Sequence, residues 1–145
     1  MRAITSLGFF GAAVLTACGG DSGGPSAPVD IDGTWSMAVT ASNSTVSCSA
    51  HGTIVINQAG NQATGTYTDL VVCNGPGGRV SQPRAGNIGL IKIDGNKVSF
   101  IDDGGCSYSG AAYWTPTNAM GGNASCTVGV QGTNYSFRGT WSANR

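Results

Sequence analysis

Residues 48–73 read CSAHGTIVINQAGNQATGTYTDLVVC, and the centre of the stretch, Ala59-Gly60-Asn61-Gln62, is a two-residue hairpin turn with glycine first. A hairpin centred between Gly60 and Asn61 sets Cys48 directly opposite Cys73. The same register pairs Ala50 with Val71, Ile54 with Tyr67 and Ile56 with Gly65 on one face. Thr53, Val55, Thr64, Thr66 and Thr68 fall on the other. The reading is therefore two long antiparallel strands with one apolar face, stapled at their open end.

Cys106 and Cys126 repeat the pattern, since they are equidistant from Pro116 within Trp114-Thr115-Pro116-Thr117-Asn118, and proline suits a turn. Their face collects Tyr108, Ala112, Trp114, Met120, Ala124, Val128 and Val130. Ser107, Ser109, Asn123, Ser125, Thr127 and Gln131 take the opposite face. Apart from Cys18 the chain has four cysteines, which allow three connectivities, and the two turn registers select Cys48–Cys73 and Cys106–Cys126. Each bridge closes a loop of some twenty-odd residues, for about 3 kcal/mol in the chain-entropy model. A metal or redox site is disfavoured, because there is no Cys-x-x-Cys and the single histidine, His51, faces outward.

Working outward, period-two alternation recurs and no segment keeps helical periodicity over three turns. Eight strands are expected, near residues 33–41, 46–57, 62–73, 86–94, 97–102, 106–114, 119–131 and 134–143. Asp94-Gly95-Asn96-Lys97 sets Ile93 against Val98 and Ile91 against Phe100. Gln131-Gly132-Thr133-Asn134 sets Val130 against Tyr135 and Val128 against Phe137. An open meander of this length would leave two apolar edges, so closure into an eight-stranded antiparallel up-and-down barrel is the expected all-β fold.

Ile31-Asp32-Gly33-Thr34-Trp35 at the start of the first strand resembles the Gly-x-Trp signature of lipocalins and avidins, which are barrels of this kind. The hairpin from Gly52-Thr53-Ile54 to Gly65-Thr66-Tyr67 is similar to its counterpart in bacterial avidins. The resemblance implies that Tyr67 and Asp69 stand where avidins carry a ligand-contacting Tyr and a Ser. Met37 replaces the Asn that avidins place two residues after the Trp, so biotin is not the implied ligand.

Before the barrel, Arg2 precedes an apolar run through Ile4, Leu7, Phe9, Phe10 and Val14. It is too short to span a bilayer and reads as a signal peptide, residues 1–17. Its end, Leu15-Thr16-Ala17-Cys18, resembles the lipobox of bacterial lipoproteins. By that resemblance Cys18 becomes the acylated N-terminus, anchored in the cell envelope, and Gly19 after it points to the outer membrane. Residues 18–30 are rich in Gly, Ser, Pro and Asp and read as a flexible tether with an r.m.s. span of about 20 Å. Residues 31–145 form one domain.

Formal net charge is zero, every acidic residue is Asp, and neither nucleic-acid binding nor polybasic membrane attachment is indicated. One outward histidine and no glutamate leave little for acid–base catalysis, so no enzyme, cofactor or metal is expected. The links after the odd-numbered strands share the barrel end far from the tether. That end carries the long link from Asn74 to Ala85, with Arg79 and Arg84. Asp69, opposite Gly52, and Asp102, opposite Gly89, are expected on the inward face near this mouth, each facing a small residue that leaves room for water or a ligand. Tyr67 and Tyr108 would line the wall. Two functions follow: a module holding a small, partly apolar molecule at the mouth, or a solid barrel that binds an envelope protein through the Arg-bearing link. Interior volume decides between them, because an eight-stranded barrel is just wide enough for side chains to fill.

Overall fold

The computed structural model describes residues 27–113, 118–130 and 133–145. Its strands are β1 (Gly33–Ser42), β2 (Ser47–Ala59), β3 (Gln62–Gly75), β4 (Gly78–Asp94), β5 (Lys97–Ile101), β6 (Cys106–Tyr113), β7 (Ala119–Val130) and β8 (Thr133–Asn144). Each pairs antiparallel with the next and β8 returns to β1, closing an all-β up-and-down barrel. Gly60 and Gly95 take positive φ at the two Gly-Asn turns, as those turn types demand. Cys48 pairs with Cys73 and Cys106 with Cys126, and both disulfides form. Signal peptide, Cys18, most of the tether, Trp114 and the Pro116 turn lie outside the described residues.

Alternation explains the core. Trp35 and Val39 of β1, Ile54 and Ile56 of β2, Ala63 and Tyr67 of β3, and Trp141 and Ala143 of β8 point inward and are buried. Phe100 stacks on Tyr108 with ring centroids 4.6 Å apart, and Trp141 meets Phe100 edge-on at 5.3 Å. The end nearest the chain's N-terminal side is plugged from within the chain. Val29 and Ile31 are buried beneath it, the Val29 amide donates to the Gly95 carbonyl, and the Trp35 indole donates to the Ile31 carbonyl. Arg145 lies over the Trp35 ring and donates to the Asp30 carbonyl, so the two termini close this end together. Among the described residues, Val29 already packs against the barrel.

Four expectations of register and strand length are corrected. The stretch from Asn74 to Ala85 is not a loop: β3 and β4 continue through it, paired from Leu70↔Pro83 to Gly75↔Gly78, as a hairpin arm at the far end. Its Gly and Pro content argued for a loop, but β4 is an edge strand here. Asn87 receives the Asp103 amide on the side away from β3, so residues 79, 81, 83 and 85 turn their backbone groups the same way. Pro83 thus gives up a donor that no neighbouring strand uses. In β4, Gly89 and Leu90 oppose the single Thr64, a bulge that lets both Ile88 and Ile91 face the core. The bulge also places Asp102 opposite Ile88, not Gly89, and ends the regular β4–β5 pairing before Ile91 and Phe100. Finally, β7 and β8 pair Val128 with Tyr135, Cys126 with Phe137 and Val130 with Thr133. That is a two-residue displacement from the expected register, which keeps Val128, Tyr135 and Phe137 on their expected faces.

Candidate functional site

The inward residues change in size along the barrel axis. Around Trp35, Ile54, Ile91, Phe100 and Met120 they are large and fill the interior. Toward the far end they include the small Ala41, Ala50 and the cysteines, and β5 stops at Ile101 while the β3–β4 and β7–β8 hairpins continue. The result is an open cup of about 470 Å³ between the two hairpin arms. Its walls include Val39, Val71, Val128, Tyr135 and Phe137, together with both disulfides. Volume and apolar lining are those of a small-molecule site.

At the base of the cup lies a polar cluster. Arg84 of β4 stands across from Asp69 of β3 and grips it with two hydrogen bonds, Nε to Oδ1 at 3.1 Å and Nη2 to Oδ2 at 2.7 Å. The guanidinium lies 5.5 Å from the centre of the Tyr67 ring. Burial works against the Arg84 cation, but the hydrogen bond and charge of Asp69 outweigh it and raise its pKa above the ordinary arginine value. Asp102 is 6% exposed, and its Oδ2 accepts from the Tyr108 hydroxyl at 3.0 Å while its Oδ1 accepts from the Cys106 amide at 2.8 Å. Asp103 accepts from the Tyr67 hydroxyl at 3.0 Å and the Asn87 amide at 2.8 Å. Those bonds, the Asn87 amide first, hold its carboxyl below the usual aspartate range.

The two tyrosines respond in the opposite sense. Burial, the bond to Asp103 and the charge of Asp102 push Tyr67 up to about 12. Burial and the Asp102 charge raise Tyr108 further. Both hydroxyls are thus committed donors at neutral pH. A second cavity of about 10 Å³, room for one water, lies among Asp69, Asp102, Tyr67 and Tyr108. It shares Val39, Ala50 and Tyr108 with the cup.

Five of the six expected site residues therefore come together: Tyr67, Asp69, Arg84, Asp102 and Tyr108. Arg79 does not, because it pairs with Asn74 and projects from the outer face of the arm. Gly52 opposite Asp69 leaves no room for a ligand, since a Cβ there would strike the Thr68 carbonyl and the Asp69 backbone. Sequence reasoning did not single out Asp103 or Tyr135 as site residues. The glycine at position 86 was the available signal for Asp103, because the Asp103 carboxylate occupies the space a Cβ of residue 86 would need. Among the described residues no three His, Cys or Asp side chains are grouped to hold a metal.

Comparison with known proteins finds no family, no curated protein and no solved structure that matches this chain. The barrel is established by the strand pairing itself, and the function has to be read from the cup.

Proposed function

We propose that the chain is an exported, lipid-anchored envelope protein that holds a small, largely apolar molecule in the cup at the far end of its barrel. The hollow itself carries this reading. The near half of the barrel is filled by large side chains, whereas the far half is left open, with Val71, Tyr135 and Phe137 standing as walls around a hollow. An unfilled apolar region gives up packing energy, and in this one two covalent links hold the wall in place of side chains. Disulfides of this number also fit a compartment outside the cytoplasm. With the tether at the plugged end, the cup faces away from the membrane.

A second reading, docking of an envelope protein by strand addition, is favoured by the unpaired edge of β4 from Arg79 to Ala85. Pro83 at the centre of that edge and the flanking arginines blunt it, which weighs against strand addition and for the cup. One experiment addresses anchoring and cargo together. Cys18→Ser, expressed in its own host, is expected in the soluble envelope fraction, and native mass spectrometry is expected to show the barrel carrying a small molecule that denaturation releases. Retention in membranes would overturn the lipid anchor. A barrel that is bare under these conditions and under mild extraction of the wild type would overturn the cup.

A further inference from the structure

Among the described residues, Arg84 is the only charged side chain that lines the cup. Asp69 engages its Nε and Nη2. Nη1, which lies beside Gly104, has no hydrogen-bond partner among the described residues, so of the three guanidinium nitrogens it is the one not yet engaged. Charge in the cluster is unbalanced: three carboxylates, Asp69, Asp102 and Asp103, stand against one guanidinium. Two of the carboxylates are saturated by donors that carry no charge, namely Tyr108, Cys106, Tyr67 and Asn87.

Resting on the cup reading above, we infer that the bound molecule ends in an uncharged hydrogen-bond acceptor, such as an ester or ketone carbonyl, directed at Nη1 of Arg84. An anionic head would meet a guanidinium already neutralised by Asp69, with the buried Asp102 close behind. At an effective dielectric near 20, an uncompensated like charge several ångströms away costs on the order of tenfold or more in affinity. A cationic head would meet Arg84 first, since the carboxylates lie behind it and do not line the cup. A neutral acceptor takes the remaining donor with neither penalty. Tyr108, whose hydroxyl already donates to Asp102, has no proton left for that acceptor, so Arg84 alone holds it.

The test uses one aliphatic tail with three heads: methyl decanoate, decanoate and decylammonium, titrated calorimetrically into the disulfide-bonded protein at neutral pH. Methyl decanoate is expected to bind at least about tenfold more tightly than either ion. Asp69→Asn releases the guanidinium charge and is expected to raise decanoate affinity about tenfold relative to the ester. Near-ultraviolet circular dichroism checks that this variant keeps its fold. Arg84→Met supplies the second variant and is expected to abolish the preference for the ester over an alkane of equal length. Wild-type protein that prefers decanoate or decylammonium overturns the inference and leaves the cup standing. Failure of all three to bind overturns both.

Discussion

At the residue scale, the cluster beneath the cup makes a pH prediction whose sign follows from which state holds the proton. Tyr67 and Tyr108 lose their protons at higher pH when folded than when unfolded, where a tyrosine titrates near 10. Their contribution to stability is therefore fully present below about pH 10 and is lost as the pH rises toward 12 and beyond. Phenolate absorbance should show both side chains titrating late, and Tyr67→Phe should be less stable than wild type at neutral pH by a margin that shrinks as the pH rises from about 10 toward 12. A Tyr67 that ionises at the ordinary value would mean that its bond to Asp103 is absent in solution. Most of this cluster was legible in the sequence, because alternation along β3 and β6 assigns Tyr67, Asp69 and Tyr108 to the inward face without any tertiary information. Asp103 was not legible. It reaches Tyr67 from a turn, where side-chain direction follows no period, and its place depends on the missing Cβ of Gly86.

At the element scale, the strands that were read well are those whose turn and cysteines agree. The Gly60-Asn61 turn and the Cys48–Cys73 pair fix one register twice over, and Pro116 with Cys106–Cys126 fixes another. Where only a turn was available, between β7 and β8, the register moved by two. The β4 bulge was hidden because Ile88-Gly89-Leu90-Ile91 breaks period two and offers no competing pattern. The β3–β4 arm was hidden because its pairing is carried by backbone hydrogen bonds on an edge that tolerates Pro and Gly. Two glycines separate close approach from mere flexibility. Gly52 lies where β2 and β3 come so near that a Cβ would overlap the Thr68 carbonyl, whereas a Cβ at Gly77 meets nothing within 4 Å. Gly52→Ala should cost about 3 kcal/mol by forcing the strands apart. Gly77→Ala should stay within about 0.5 kcal/mol of wild type. Urea denaturation of the two variants measures the difference, and equal midpoints would mean that the β2–β3 approach is looser than the structure has it.

At the scale of the whole molecule, stability is divided unevenly between the ends of one barrel. The near end is plugged by Val29 and Ile31 and filled by Trp35, Ile54, Ile91 and Met120, all buried. Burying an aliphatic or aromatic side chain of this size contributes about 1.5–3 kcal/mol relative to leaving it exposed. The far end has few such residues, two hairpin arms with unpaired outer edges, and disulfides spanning 25 and 20 residues. Each disulfide contributes about 3 kcal/mol, and the pair about 6 kcal/mol, which is comparable to the whole net stability of a small domain. Reduction removes that contribution from the walls of the cup and leaves the packing of the plugged end untouched. The expected result is local opening in preference to uniform weakening. Amide hydrogen exchange on reduced, alkylated protein should show protection lost along residues 70–74, at 80, 82 and 84, and along 126–128 and 135–138, while amides near Trp35, Ile54 and Val98 still exchange slowly. Under the same treatment methyl decanoate should no longer bind, because its site is the part that has opened. If near-end and far-end amides lose protection together, the barrel is a single cooperative unit. The disulfides then support the whole fold and not a mouth held open for a ligand.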